Sequence, residues 1–390
     1  MERDLAPEDI PAAAQGSELT IEEALDRPDP SPDPEPGSDD GGQPGATVAA
    51  AHDYSGIRWP DQAHAPDFAW IAGLEAPAKL KLSPETFETL FKLNRYTPSR
   101  EASVIAFALR GATLDDGHSA IERDEVALTL AEPNHRNFRC VIGFYFHKEG
   151  KISAFTGSTV PCRKAVYGSK NGGDASNMLP TGLYTYYVWR HKKLKPALRL
   201  GKSKSDLESG GRATVLRNSA DLMLDTTDTF SPSTPLDNVH CSYYLDENAD
   251  LGAQFSSWGC LTVRGTKAPS HEWAKFQSVL KDVGLKSRVD LILTTGKEAS
   301  IVANSGNDAE KLEPTLGALR QGSRGDEVKR IQQKLGLEAS GYWGAETADA
   351  FTGRQRALSR DAGKGPVADG IYGRGADALT GWSVFEDGVA

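Results

Sequence analysis

The stretch His240-Cys241-Ser242-Tyr243-Tyr244, answered downstream by Ser256-Ser257-Trp258-Gly259-Cys260-Leu261, decides how the rest of the chain is read. A histidine and a cysteine are the two groups needed to make a thiolate at neutral pH. An ordinary thiol titrates near ~8.5, and a positioned imidazole is the usual means of raising its nucleophilic fraction. Gly259 would let a substrate carbonyl approach the backbone and leave the amides of Gly259 and Cys260 to hold an oxyanion. The alternative for the same two residues is a buried structural cysteine beside a core histidine.

Working outward, Asp237-Asn238-Val239 leads into His240 as a short strand, and Leu261-Thr262-Val263 continues a strand at the floor of the site. Upstream, the pattern is β from Phe138. Cys140-Val141-Ile142-Gly143-Phe144-Tyr145-Phe146 and Lys151-Ile152-Ser153-Ala154-Phe155-Thr156 flank the turn signal Lys148-Glu149-Gly150. Gly157-Ser158-Thr159 and then Leu179-Pro180-Thr181-Gly182-Leu183-Tyr184-Thr185-Tyr186 follow. Arg190-His191-Lys192-Lys193 opens a polar, basic stretch that reads as a solvated loop or as a rim facing acidic peptides. Downstream, Ser270 caps a helix carrying Trp273, Phe276 and Leu280 as core, and Val289-Asp290-Leu291-Ile292-Leu293 is a closing strand. Residues 137–295 are thus expected to form one mainly β domain.

The order of these features resembles the catalytic domain of L,D-transpeptidases. There, too, an opening hairpin, an STG-like stretch and a Thr-Pro-x-Gly-x-Phe-like strand precede a histidine and a Ser-His-Gly-Cys motif. In this chain His240 is followed, after sixteen residues, by Ser257-Trp258-Gly259-Cys260. The match covers His240, Ser257, Gly259 and Cys260. It departs at Leu179, where the family often has Thr, at Trp258, where a second histidine is usual, and at Thr262, where Arg or Asn is usual. The resemblance implies that Cys260 attacks a stem-peptide carbonyl and His240 moves the proton. It implies that the Gly259 and Cys260 amides hold the oxyanion while Ser257 orients the loop. The acyl group then passes to an amine, forming a cross-link, or to water, giving cleavage. Trp258 reads as a stacking wall for substrate or as plain packing. Arg264 reads as a substitute cation for substrate or as a solvated surface arginine. No cofactor and no metal are expected: His240, Cys241 and Cys260 fit no common zinc-ligand spacing.

The C-terminal part carries an internal repeat. Gly341-Tyr342-Trp343-Gly344 with Ala348-Asp349-Ala350-Phe351 is echoed by Gly370-Ile371-Tyr372-Gly373 with Ala376-Asp377-Ala378-Leu379. Before it, Val328, Ile331 and Leu335 make one helical face that Gly336 ends. Leu319, Gly322, Gly325, Val328, Ile331 and Gln332, with Asp369-Gly370-Ile371-Tyr372-Gly373, resemble the three-helix peptidoglycan-binding domain. That resemblance implies a small all-α module over 317–382 with bacterial peptidoglycan as partner. For Tyr342, Trp343 and Tyr372, core packing is the default and contact with a wall ligand the alternative. The polar, patternless run 296–316 is expected to be a linker.

Residues 53–136 read as a separate small α+β region. Ser83-Pro84-Glu85-Thr86 opens a helix with Phe87, Leu90 and Phe91 at helical spacing. Ser103–Leu109 and Glu125–Leu130 read as strands. Residues 1–50 are an acidic tail, expected to be disordered: the run 28–42 contains only Pro, Asp, Glu, Gly and Ser.

Composition narrows the partners. The net charge of −10 is concentrated in the tail, which holds thirteen acids and two arginines; the rest has 41 acids and 42 bases. Such a balanced body offers no basic field for nucleic acid. No apolar run approaches the ~20 residues needed to span a bilayer. The opening Met1-Glu2-Arg3-Asp4 has neither the basic region nor the apolar core of a secretory signal. Four cysteines at 140, 162, 241 and 260 are too few for a disulfide scaffold, so reduced thiols are expected, although a bond between Cys140 and Cys162 is conceivable. The combined expectation is a multidomain protein made in the cytoplasm that acts at the bacterial cell wall. It would be carried there by a phage or phage-tail-like contractile-injection particle, through residues 1–50, or be released on lysis. A non-catalytic wall-binding component of such a particle is the alternative.

Overall fold

The structure, a computed structural model, describes residues 70–162, 165–166, 177–191, 194–201, 213–217, 229–233, 237–242, 255, 257–266, 268–361 and 368–385. The expected tail 1–50 and the start of the 53–136 region lie outside the described residues.

In chain order, β1 (Lys79–Leu82) runs through Ser83 into α1 (Pro84–Leu93). The Ser83 N–H donates to Thr86 Oγ1 at 3.3 Å, and proline takes the first helical position, where its missing N–H is not needed. β2 (Ile105–Arg110), β3 (Ala112–Leu114), β4 (Ala120–Arg123) and β5 (Val126–Leu130) follow. The hairpin around Gly150 is β6 (Cys140–Phe146) and β7 (Lys151–Ser158). Then come β8 (Asn177–Met178), β9 (Gly182–His191), β10 (Leu194–Leu200), β11 (Ala213–Arg217), β12 (Thr229–Ser233), β13 (Val239–Cys241) and β14 (Leu261–Val263). α2 (Glu272–Val283) has its cap one residue later than expected, at His271 rather than Ser270. β15 (Arg288–Thr295), α3 (Gly296–Asn304), α4 (Ala309–Leu316), β16 (Ala318–Leu319), α5 (Asp326–Lys334), α6 (Ala345–Asp361), β17 (Tyr372–Gly373) and α7 (Arg374–Thr380) complete the chain.

Nine strands form one mixed sheet in the order β14-β13-β10-β9-β15-β2-β6-β7-β4. Thr262 and Val263 of β14 also pair with Ser158 and Gly157 of β7, so eight of the strands close into a ring. Side-chain alternation along each strand divides the ring into two faces. Ala106 and Ala108 of β2, Tyr184 and Tyr186 of β9, Val239 and Cys241 of β13, and Leu261 and Val263 of β14 point inward with Trp273, Phe276 and Leu280 of α2. Phe276 fills the centre, 4.4 Å from Phe144 by ring centroids. On the outer face, Ile105, Phe107 and Leu109 of the same β2 pack with Phe87, Leu90 and Phe91 of α1 and with the small sheet β1-β5-β3. The body is therefore mainly β, and the described residues include seven helices.

Two sequence expectations about domain layout are corrected. Residues 53–136 are not a separate region: β2 lies mid-sheet, parallel to β15 and antiparallel to β6. Val289–Leu293 lies within β15, the last of the nine strands in chain order, which sits between β9 and β2. The run 296–316 is not a linker but α3 and α4, capped by Thr295 Oγ1 accepting from Glu298 N–H and by Asp308 accepting from Lys311 N–H. Ala299, Val302, Leu312 and Leu316 from this run are buried in the outer core, with Ile301 and Ala303 partly buried against it. So sparse an apolar stripe, with Pro314 inside the second helix, shows no period without the surface it packs on.

The C-terminal part consists of α5, α6 and α7 with a short β16–β17 pairing. Trp343 and Tyr372 are fully buried with Val328, Ile331 and Phe351, while Tyr342 lies half-buried under the Arg324 guanidinium, 4.3 Å from its ring centroid. Val384 and Phe385 belong to this core as well, just past the expected boundary at 382. The module is seated on the body. Leu183 N–H donates to Gln321 O at 2.9 Å and Arg324 N–H to Arg95 O at 3.0 Å. Gly322, at φ 92°, presses so closely on Leu183 that a Cβ there would lie 2.6 Å from the Leu183 carbonyl oxygen.

Candidate functional site

The two halves of the His240–Cys260 stretch become neighbouring parallel strands. Val239 pairs with Leu261, His240 with Thr262 and Cys241 with Val263. Because Val239, Cys241, Leu261 and Val263 point into the ring, alternation turns Asn238, His240, Cys260 and Thr262 to its outer face. The register sets Cys260 opposite Asn238. His240 lies two residues further along the adjacent strand, about 8 Å from Cys260 between Cα atoms by ordinary strand spacing. The Asn238 N–H donates to Cys260 Sγ at 3.3 Å.

The turn before Cys260 is held at every residue. Ser257 Oγ donates to Cys260 O at 2.7 Å and accepts from Gly259 N–H at 3.1 Å. Ser257 O receives Cys162 N–H at 2.7 Å, and Trp258 O receives Asn177 N–H at 3.0 Å. A Cβ on Gly259 would collide with the Asn177 carboxamide and lie 2.6 Å from Asp237 Oδ1, so only glycine fits. With its amide nitrogen turned to Asp237, Asn177 donates to both carboxylate oxygens, at 3.0 and 2.6 Å. Tyr186 closes this side, its hydroxyl donating to Asp237 O at 2.8 Å. Burial lifts the Tyr186 phenol well above its ordinary range, and the nearby charges of Asp237 and Cys260 push the same way.

The expected oxyanion arrangement is corrected here: the Gly259 N–H is engaged by the Ser257 hydroxyl. The sulfur and the imidazole are closed off from solvent: Cys260 is 2 % exposed and His240 0 %. All four cysteines are buried and reduced.

His240 Nδ1 lies 2.6 Å from the Cys241 carbonyl oxygen. A carbonyl can only accept, so Nδ1 carries the proton and Nε2 is the basic nitrogen of the ring. The His191 imidazole stacks on that of His240, with centroids 4.4 Å apart and planes 5° from parallel. His191 is not in a solvated loop or on a basic rim, as its sequence neighbours suggest; it ends β9 and is 0 % exposed. Its place on the Tyr187–Trp189 face of β9 is the only trace in the sequence. Asp237, Asn238 and Asn177 are also site residues that sequence reasoning missed, because each acts through a contact set by the fold.

Both expected substrate residues have packing or pairing partners within the fold. Trp258 is half-buried against a satellite cluster that includes Phe138, Val160, Met178 and Phe255, which is packing. Arg264 is four residues beyond Cys260, on the order of 13 Å along an extended chain. Its guanidinium pairs with Glu272 Oε1 of α2 at 3.0 Å, which ties the arginine to the fold.

Among the described residues no three His, Cys, Asp or Glu side chains converge as a metal site. Nor is any described helix long and apolar enough to cross a membrane. Compared with protein-family models, curated proteins and solved structures, the chain matched none of them.

Proposed function

We propose that this chain is a peptidoglycan-acting cysteine enzyme of the L,D-transpeptidase kind. In this reading the catalytic domain spans 137–295, with strand β2 and α1 completing its sheet and core. The observation that carries it is the pair of fixed polarities on one face of β13 and β14. His240 is held by a backbone carbonyl with Nε2 as its basic nitrogen, and a backbone N–H is aimed at the sulfur of Cys260 two residues away.

In the proposed reaction Cys260 gives its proton to His240 and its sulfur bonds to the carbonyl carbon of an L,D amide. The C–N bond then breaks, and the leaving amine takes the proton from His240. The resulting thioester passes to an amine, giving a cross-link, or to water, giving cleavage. The Asn238 N–H stabilises negative charge on the sulfur when it is displaced. Burial of Cys260 requires the cover over the sulfur to open before substrate enters. The module at 317–382 would hold the wall, and residues 1–50 would dock the protein on an injection particle that delivers it.

The test is mass spectrometry of muropeptides incubated with the native protein and with Cys260→Ala. Turnover by the first and none by the second, with sedimentation on purified walls equal for both, is the expected result. Identical muropeptide profiles for the two proteins would discard the enzyme reading. The 2 % exposure of Cys260 favours a second reading, a non-catalytic wall-binding component of a phage-tail-like particle. That reading expects wall binding without turnover, and co-sedimentation with particles that is lost when residues 1–50 are removed.

A further inference from the structure

We infer that His191 is a positioning residue for His240, a second imidazole supplied from β9. This rests on the reading of His240 and Cys260 as base and nucleophile. The motif itself carries tryptophan at 258 where a second histidine would be expected, and the fold brings another imidazole to the first by a different route.

That route is specific. β9 and β13 are not neighbours, because β10 lies between them. The β9–β10 pairing shifts register between Leu194 and Ala197, next to the end of β9 that carries His191. Asn238 ties the strands together. Its Oδ1 accepts from Leu200 N–H of β10 at 3.0 Å, which fixes the orientation of the amide. Its Nδ2, the donor end, therefore faces His191 Nδ1 at 3.2 Å. His191 Nδ1 must accept, so its ring proton is on Nε2 and the imidazole is neutral.

A neutral ring in this tautomer can lie flat on His240 while His240 gains a proton. A charged one could not: it would turn an N–H toward the Asn238 donor and set two like charges about 4.4 Å apart. The same Asn238 whose side chain fixes His191 presents its backbone N–H to Cys260 Sγ. One residue thus couples the second imidazole to the strand that addresses the sulfur. The other ionisable groups at hand are Cys260, Asp237 and Tyr186 beside the turn.

The test follows alkylation of each cysteine by iodoacetamide across pH, using peptide mass spectrometry on the native protein, His240→Ala, His191→Ala and His191→Phe. Cys140, whose thiol burial pushes up to about 12, is the internal unreactive standard. The expected result is a native Cys260 that reacts well below the ordinary thiol range and a His240→Ala profile that loses this. His191→Phe keeps a flat ring but no Nδ1 acceptor. It should react roughly ten-fold more slowly at neutral pH, with its profile displaced to higher pH; the buried Asn238 amide loses its acceptor, so the melting temperature falls while a single cooperative transition remains. His191→Ala should do the same or worse, and if it fails to fold the phenylalanine variant decides. A His191→Phe profile that overlays the native one, while His240→Ala differs, overturns the role of His191 and leaves the enzyme reading standing. A native Cys260 as inert as Cys140 overturns both.

Discussion

Gly259 and Asp237 approach so closely that a methyl group on the glycine would lie 2.6 Å from Asp237 Oδ1. The turn into Cys260 is therefore shaped by a carboxylate–carboxamide pair, Asp237 with Asn177, and not by the motif alone. Gly259→Ala must displace that pair or the turn. We expect a loss of about 1–3 kcal/mol, the usual penalty for forcing a group into a packed site. It should appear as a lower urea midpoint at unchanged slope. Slower alkylation of Cys260 should accompany it. A native midpoint would show that the Asp237–Asn177 pair yields without resistance.

Arg320 fixes the C-terminal module to the body. Its guanidinium is 1 % exposed and pairs with Glu298. It also donates to Thr181 Oγ1 at 2.7 Å and to Asn94 Oδ1 at 2.8 and 2.6 Å, and it lies over the Trp70 ring. Removing one partner of a buried pair leaves the other charged and unsolvated, which costs about 3–5 kcal/mol. Arg320→Ala should separate one thermal transition into two, with the module released to proteolysis near residue 320. A single transition at the native temperature would contradict a rigid seat.

His135 makes stability depend on pH. It is buried, and burial lowers its imidazole to about 4 against the partial support of the Pro161 carbonyl, 2.8 Å from Nδ1. The folded value lies below that of the unfolded chain, about 6.5, so between the two the unfolded chain binds more protons. Stability is then unaffected by this group above about pH 6.5 and falls as pH drops toward about 4, by roughly 3 kcal/mol. His135→Gln should flatten that part of the profile in urea titrations. An unchanged acid slope would assign it to other groups.

Much of the local structure was legible in the sequence. The hairpin at Gly150 and the strands on either side of the His240–Cys260 stretch follow from alternation and turn chemistry. The core places of Trp343 and Tyr372 follow from the repeat. What stayed hidden depends on pairing across long stretches of chain. β2 and β15 pair side by side although the chain between them is long, and nothing near Ile105 announces that. α3 and α4 expose too much polar surface to show a period until the outer core is in place. His191 sits in a run of cationic residues that looks solvated, yet the end of β9 buries it against His240. The motif marks His240 and Cys260, while Asn177, Asp237, Asn238 and His191 become visible only once strands are laid side by side.

Arg264 separates a structural role from a substrate role. It pairs with Glu272, whose carboxylate also accepts from Thr156 N–H at 2.8 Å, binding α2 to β7 inside the ring. Burial raises the Glu272 carboxyl above its usual range, and the Arg264 charge works against that rise. Without the arginine, the carboxyl should move higher still. A folded-state value above the unfolded one favours folding at low pH and loses that advantage as pH rises through it. The deficit of Arg264→Ala should thus be largest at neutral pH, about 1 kcal/mol for a lost charged hydrogen bond, and shrink in acid where Glu272 is protonated. Urea melts at the two pH values measure it. Muropeptide turnover per folded molecule should equal that of the native protein. Loss of turnover with stability intact would return Arg264 to the substrate site.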